Sequence, residues 1–99
     1  MEPGLTVELR AVWDWHRSAA WPKFSSPDEG ELMTLDTVIS GCATYYFDEQ
    51  GLDPQRVAML EQCLADLDGL LSGVPEDAGD YFARLRELAG LLLASAKGR

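Results

Sequence analysis

Basic residues are scarce in this chain. Its 99 residues include 17 acidic side chains, only 8 Lys and Arg, and a single histidine, so the formal net charge at pH 7 is −9. A protein with this balance repels nucleic-acid phosphates and anionic membrane surfaces unless its cations form a patch. The sequence also contains no recognisable nucleic-acid-binding motif. It therefore argues against a nucleic-acid partner and against a membrane partner.

Long hydrophobic runs are also missing. No apolar stretch approaches the roughly 18–20 residues that a membrane-spanning helix needs. The first ten residues, MEPGLTVELR, begin with an acid and alternate polar with apolar positions, unlike a secretory leader. We therefore predict a cytoplasmic protein. A chain of this length fits one domain with a modest core, which we assign to residues 1–99.

The chain contains only two cysteines and one histidine. These residue types often bind metal ions or act as the nucleophile and base of an active site. Cys42 and Cys63 lack a metal-type spacing such as C-x-x-C, and a cytoplasmic location favours buried, reduced thiols. His16 has no companion from which a catalytic set could be assembled. No Walker loop, dinucleotide fingerprint or G-x-S-x-G motif is present. The sequence predicts no catalytic residues and no cofactor, and it makes an enzyme the least favoured class.

Acidic clusters at residues 28–31, 48–49, 66–68 and 76–80 raise the question of a metal site. A calcium loop needs oxygen ligands at close alternating positions, a glycine turn and a distal Glu, and these clusters do not match that pattern. Most of the acids fall in the first turns of predicted helices, where the helix dipole favours them. We therefore predict no metal site.

Residues 5–15 show a period of two. Their apolar side chains alternate with polar ones, and Val12 is the exception. This pattern, rich in β-branched and aromatic residues, is typical of a strand. A helix would instead collect one face but leave Val7 and Trp15 on the polar side. That face is Leu5, Leu9, Val12, Trp13 and His16. We favour the strand.

A single strand leaves its backbone groups unpaired, which is costly. Residues 19–24 offer a second strand and therefore a short hairpin, although Pro22 confines that segment to an edge. The alternative is a homodimer in which the N-terminal strands of two copies pair across a two-fold axis. Both alternatives place a small antiparallel ribbon on a helical layer.

The rest of the chain is patterned as three helices joined by short turns. Ser26 and Glu29 fit a capping box with Pro27 at the first position, and that helix should end near Gly51. A second helix starts at the N-cap Asp53 and ends at Gly73, and a third follows Pro75. Seven residues of their apolar stripes are predicted to lie in the core. These are Leu35, Ile39, Leu60, Leu64, Leu67, Leu85 and Leu92. The predicted fold is mainly α: an N-terminal strand or hairpin (residues 1–25) followed by a three-helix antiparallel bundle (residues 26–99).

One aromatic, locally basic segment, WDWHRSAAWPKF at residues 13–24, holds all three tryptophans and the only histidine. Its first tryptophans continue the apolar face of the predicted strand and cover the helices. Trp21 and Phe24 fall in an irregular link beside two bases, Arg17 and Lys23. Exposed aromatic residues next to arginine are typical of interface hot spots. These four residues form the predicted partner-binding site, with the alternative that the two rings only close the end of the core.

The excess negative charge lies outside that segment. Residues 1–25 are neutral, whereas residues 26–99 hold fourteen acids and five bases. Such a field speeds the encounter with a basic surface. We therefore predict a small protein-binding module, an inhibitor- or immunity-like shield against a basic partner. Bacterial immunity proteins are an analogy in size and charge alone. A structural homodimer is the alternative, and a small enzyme or ligand-binding protein comes third.

Overall fold

Four α-helices and no β-strand make up residues 3–97, the part of the chain that the computed structural model describes, with side chains for residues 7–96. The helices are α1 (Pro3–Ser18), α2 (Glu29–Glu49), α3 (Pro54–Leu71) and α4 (Glu76–Lys97). Successive helices run antiparallel. The longest connection, residues 19–28, is an extended link between α1 and α2 that carries Trp21 and Phe24.

The predicted N-terminal strand is wrong, because residues 5–15 lie inside α1. At 100° per residue, one face of this helix collects Leu9, Val12, Trp13 and His16, and all four are buried. The two residues that a helix leaves on the polar side are exposed, Val7 by 69% and Trp15 by 42%. The helical face buries three large apolar side chains in one stripe and satisfies the backbone within the segment. The Leu5 side chain lies outside the described residues.

Because residues 5–15 are helical, the predicted hairpin and the predicted strand-paired homodimer are wrong as well. A helix satisfies its backbone N–H and C=O groups internally, so residues 7–14 need no partner strand. Residues 19–24, the proposed second strand, have no strand structure either. The structure therefore gives no support to a dimer paired through these two segments as strands.

The starts of α2 and α3 differ in how well the sequence predicts them. The capping box at Ser26 is not formed, since the Ser26 hydroxyl accepts from the backbone N–H of Asp28 at 3.1 Å and α2 begins at Glu29. Asp53 caps α3 as predicted, accepting from the backbone N–H of Arg56 at 2.8 Å, with Pro54 at the first position. Pro27 precedes α2 and does not open it.

α4 is the central helix of the core and packs against the other three, most extensively against α1 and α3. Six of the seven predicted core residues are buried, and Leu64 is only partly buried at the edge. Side chains with no exposed surface come from all four helices. The largest are Phe82, Leu9, Leu32, Ile39, Leu60, Leu67, Leu85, Leu88 and Leu92. Cys42 and Cys63 are buried and unbonded, as predicted.

Burial raises the pKa of both thiols. Desolvation disfavours a thiolate, which is the reactive form of cysteine. The two cysteines therefore act as small apolar core residues on facing sides of α2 and α3.

A pair of substitutions in α1 distinguishes a helical structure of residues 5–15 from a strand. Val7→Ala should leave stability unchanged or raise it by about 0.5 kcal/mol, because Val7 is exposed and alanine is the better helix former. Leu9→Ala should cost about 2–5 kcal/mol, because Leu9 is fully buried. Urea unfolding followed by circular dichroism measures both. A clear loss of stability in Val7→Ala would contradict the helix.

Candidate functional site

A partly buried carboxylate joins three of the four helices. Asp36 of α2 accepts a hydrogen bond on Oδ1 from Nε2 of His16 in α1, at 2.7 Å. It accepts a second bond on Oδ2 from the Tyr81 hydroxyl of α4. The Ser40 hydroxyl, one turn along α2, donates to Oδ1 at 3.0 Å. Three donors on one carboxylate hold the C-terminal end of α1 against the N-terminal halves of α2 and α4.

These contacts decide the protonation states of the two acidic groups. Burial opposes ionisation of Asp36, but the hydrogen bonds from His16, Tyr81 and Ser40 and the attraction of His16 outweigh it, so the pKa of Asp36 lies below its usual value. Burial and the hydrogen bond to a negative partner raise the pKa of the Tyr81 phenol strongly. Asp36 is therefore an ionised acceptor and Tyr81 a neutral donor.

The other nitrogen of His16 has no partner. Nδ1 is buried from solvent and makes no hydrogen bond, and the ring lies between Trp13 and Tyr81, with centroids 6.3 Å and 5.0 Å away. A histidine oriented by a carboxylate is one half of a general-base arrangement. A substrate would reach Nδ1 only if the surrounding rings moved. The arrangement as it stands positions helices.

Sequence reasoning treated His16 as isolated and missed Asp36. One signal could have identified it. Asp36 is the only charged residue between Leu32 and Phe47 of α2, and it lies next to the apolar stripe. A lone acid beside a buried face needs a partner, because an unpaired buried charge is costly.

The link between α1 and α2 folds its aromatic side chains onto α4. The Trp21 and Phe24 rings are half-buried and 6.0 Å apart, and both meet Phe82 edge-on, at 5.5 Å and 5.6 Å between centroids. The Trp21 Nε1–H donates to Glu29 at 3.2 Å. The structure thus brings together two of the four residues predicted to bind a partner, and each keeps part of its ring exposed.

The two predicted bases behave differently. Arg17 is exposed in the last turn of α1 and forms an ion pair with Asp14 at 3.3 Å. Lys23 is exposed and has no ion pair among the described residues.

Six acidic side chains lie at the starts of α2 and α4, and one of them, Glu29, bonds to the aromatic link. The first turns of α2 and α4 lie at the same end of the bundle, since a Cβ added to Gly73 would lie 3.8 Å from the Asp28 carboxylate. We call the acids of these two helix starts the acidic end. They are Asp28, Glu29, Glu31, Glu76, Asp77 and Asp80. None of the six forms an ion pair within the described part of the chain.

The local charge at this end is strongly negative. Lys23 is the only base in residues 19–31 and 72–83, so six carboxylates and one ammonium leave a charge of −5. The N-terminal dipoles of α2 and α4 stabilise these acids without neutralising them fully. The acidic end therefore combines a concentrated negative field with a half-buried aromatic pair.

Other classes of site find little support in the described residues. Residues 3–97 contain no group of three or more His, Cys, Asp or Glu side chains placed to hold a metal ion. No helix in the same range is long and apolar enough to cross a membrane. No protein-family model, curated protein or solved structure matches the chain. The fold defines a small all-α protein, and its function must be argued from its own surfaces.

The Asp36 network predicts sensitivity to acid. A carboxylate whose folded pKa is depressed contributes stability above its unfolded pKa of about 3.9 and loses it as pH falls through the folded value. The stability difference between the wild type and Asp36→Asn should therefore be fully present above about pH 5 and shrink as the pH falls toward about pH 3. Urea unfolding of both proteins across this range measures the difference. A difference that stays constant with pH would show that the Asp36 charge is not stabilised in the fold.

Proposed function

We propose that this chain is a protein-binding module that docks a basic protein partner on its acidic end, with Trp21 and Phe24 as the apolar anchor. The observation that carries this proposal is the hydrogen bond that joins Trp21, one of two half-buried rings, to the acidic end, whose six acids form no ion pair among the described residues. The role we infer is a shield: the bound acidic end covers cations that the partner needs for its own activity.

The two components of the site contribute differently to binding. Negative charge raises the association rate with a cationic surface, but exposed charges contribute little lasting affinity. Slow release requires an apolar contact that excludes water. Trp21 and Phe24 supply that contact because the core supports one side of each ring and the other side is partly open.

Matched charge variants test the acidic end. Glu31→Gln/Glu76→Gln removes two exposed acids at this end, and Glu8→Gln/Glu49→Gln removes two exposed acids elsewhere. Pull-down from native cells with mass spectrometry, followed by binding kinetics with the purified partner, should show a basic partner. Its association should slow sharply for the first variant and only slightly for the second.

Salt provides an internal check on the same complex. Raising salt from about 50 to about 500 mM shortens the Debye length to a few ångströms and should slow association strongly. An acidic partner, an association rate that salt does not change, or equal losses in the two variants would each contradict the proposal.

Trp21→Ala tests the anchor. Trp21 packs on Phe82, so the substitution should lower the free energy of unfolding. Binding is therefore measured at a temperature where the wild type and the variant are both fully folded, so that the lower stability does not affect it. Under that condition the dissociation rate should rise at least about 10-fold if the ring contacts the partner. Leu60→Ala is the control, because Leu60 is fully buried and belongs to α3, so it lies neither in the link nor in the helix that supports the two rings. An unchanged dissociation rate in Trp21→Ala would limit the ring to a core role.

A further inference from the structure

The outer face of α2 carries no charge over four turns. Between Leu32 and Phe47 the only charged side chain is Asp36, which is turned inward to His16 and Tyr81. The outer face consists of exposed small or uncharged residues. They are Met33, Thr34, Thr37, Gly41 and Thr44. This is an unusual surface in a chain with a net charge of −9.

An open groove of about 410 Å³ runs beside this face, between α2 and α3. Val38, Gly41 and Tyr45 line its α2 side, and Met59 lines its α3 side. Gly41 lines the groove and carries no side chain, and a Cβ added there would meet nothing within 4 Å, so there is room at this position for a side chain from outside. Met33, two turns before Gly41 and exposed by 50%, protrudes from the same helix, and Met59 is exposed by 40%. The face therefore has a recess and a protruding side chain on one helix.

We propose that a second copy of this chain docks on this face, with the two α2 helices antiparallel about a two-fold axis at Thr37. Met33 and Gly41 lie four residues on either side of Thr37, about 6 Å along the helix. The two-fold axis therefore places Met33 of each copy at the level of the recess at Gly41 of the other. A two-fold interface must be self-complementary, and a protrusion and a recess equally distant from the axis meet that requirement.

The charge distribution favours a second copy over a basic partner as the occupant. Two molecules of charge −9 repel each other through most of their surfaces, and a charge-free face lets them approach with the least repulsion. A strongly basic partner would gain nothing from the uncharged centre of this face. The two charged residues that line the groove, Asp48 and Arg56, have opposite signs, so the groove is neutral overall. This inference uses a surface distinct from the acidic end and does not rest on the function proposed for that end.

Sedimentation equilibrium of the full chain tests this interface. The wild type should form a dimer at chain concentrations of about 10–300 µM in about 500 mM NaCl and weaken at about 50 mM, because salt screens the repulsion between like charges. This dependence is opposite in sign to that expected for a basic partner at the acidic end. The failure of one proposal can therefore be distinguished from the failure of the other.

Two glycine substitutions form a matched pair for the same measurement. Gly41→Glu places like charges on both sides of the axis, and Gly69→Glu adds the same charge on the exposed side of α3. Neither new Cβ meets a neighbour within 4 Å, and both sites are helical, so both variants fold. Gly41→Glu should weaken the dimer at least about 10-fold, and Gly69→Glu should leave it near wild type. A wild type that stays monomeric throughout, or a Gly41→Glu dimer as tight as that of Gly69→Glu, would overturn the proposal.

Discussion

The Asp36 carboxylate is the constraint on which the placement of α1 depends. A buried charge without partners is costly, and Asp36 finds its partners on three different helices: His16, Ser40 and Tyr81. Removing one partner would leave the carboxylate under-satisfied, so the network specifies which face of α1 turns inward. With His16 held in place, Val12 and Trp13 of the same face enter the core.

The positions of Tyr81 and Phe82 connect this network to the surface. Tyr81 donates to Asp36, while its neighbour Phe82 supports the Trp21 and Phe24 rings. The aromatic link is therefore anchored on the same turn of α4 that completes the buried network. The acids at the starts of α2 and α4 lie at the same end of the bundle, and one of them, Glu29, accepts the Trp21 N–H. In the two proposals made above, the acidic end attracts a partner through long-range charge, whereas the outer face of α2 recognises a second copy through shape.

Local chemistry predicted several features of the bundle. Asp53 and Pro54 begin α3 as expected, because a side-chain cap and a proline at the first position act within four residues. The apolar stripes of the last three helices predicted seven core residues, and six of these seven are buried. The start of α2 was less predictable, since Ser26 bonds to Asp28 in a local turn that competes with the capping box. At the candidate site, Trp21 and Phe24 were found from composition, but their contact with Phe82 was not.

The sequence by itself determined three amphipathic helices, their order, a strong negative charge and the absence of a recognisable catalytic motif, because periodicity, caps and charge are properties of neighbouring residues. The tertiary structure decided the state of residues 7–15. Their apolar side chains fit a period of two, and a subset fits a helical face, so local pattern alone left both open. The helix is favoured by partners distant in sequence. His16 bonds to Asp36, which also accepts from Tyr81, and α4 packs against α1, whose buried face carries Leu9 and Trp13. Local periodicity cannot encode such contacts. His16 and Asp36 are 20 positions apart in the sequence, and Asp36 and Tyr81 are 45 positions apart.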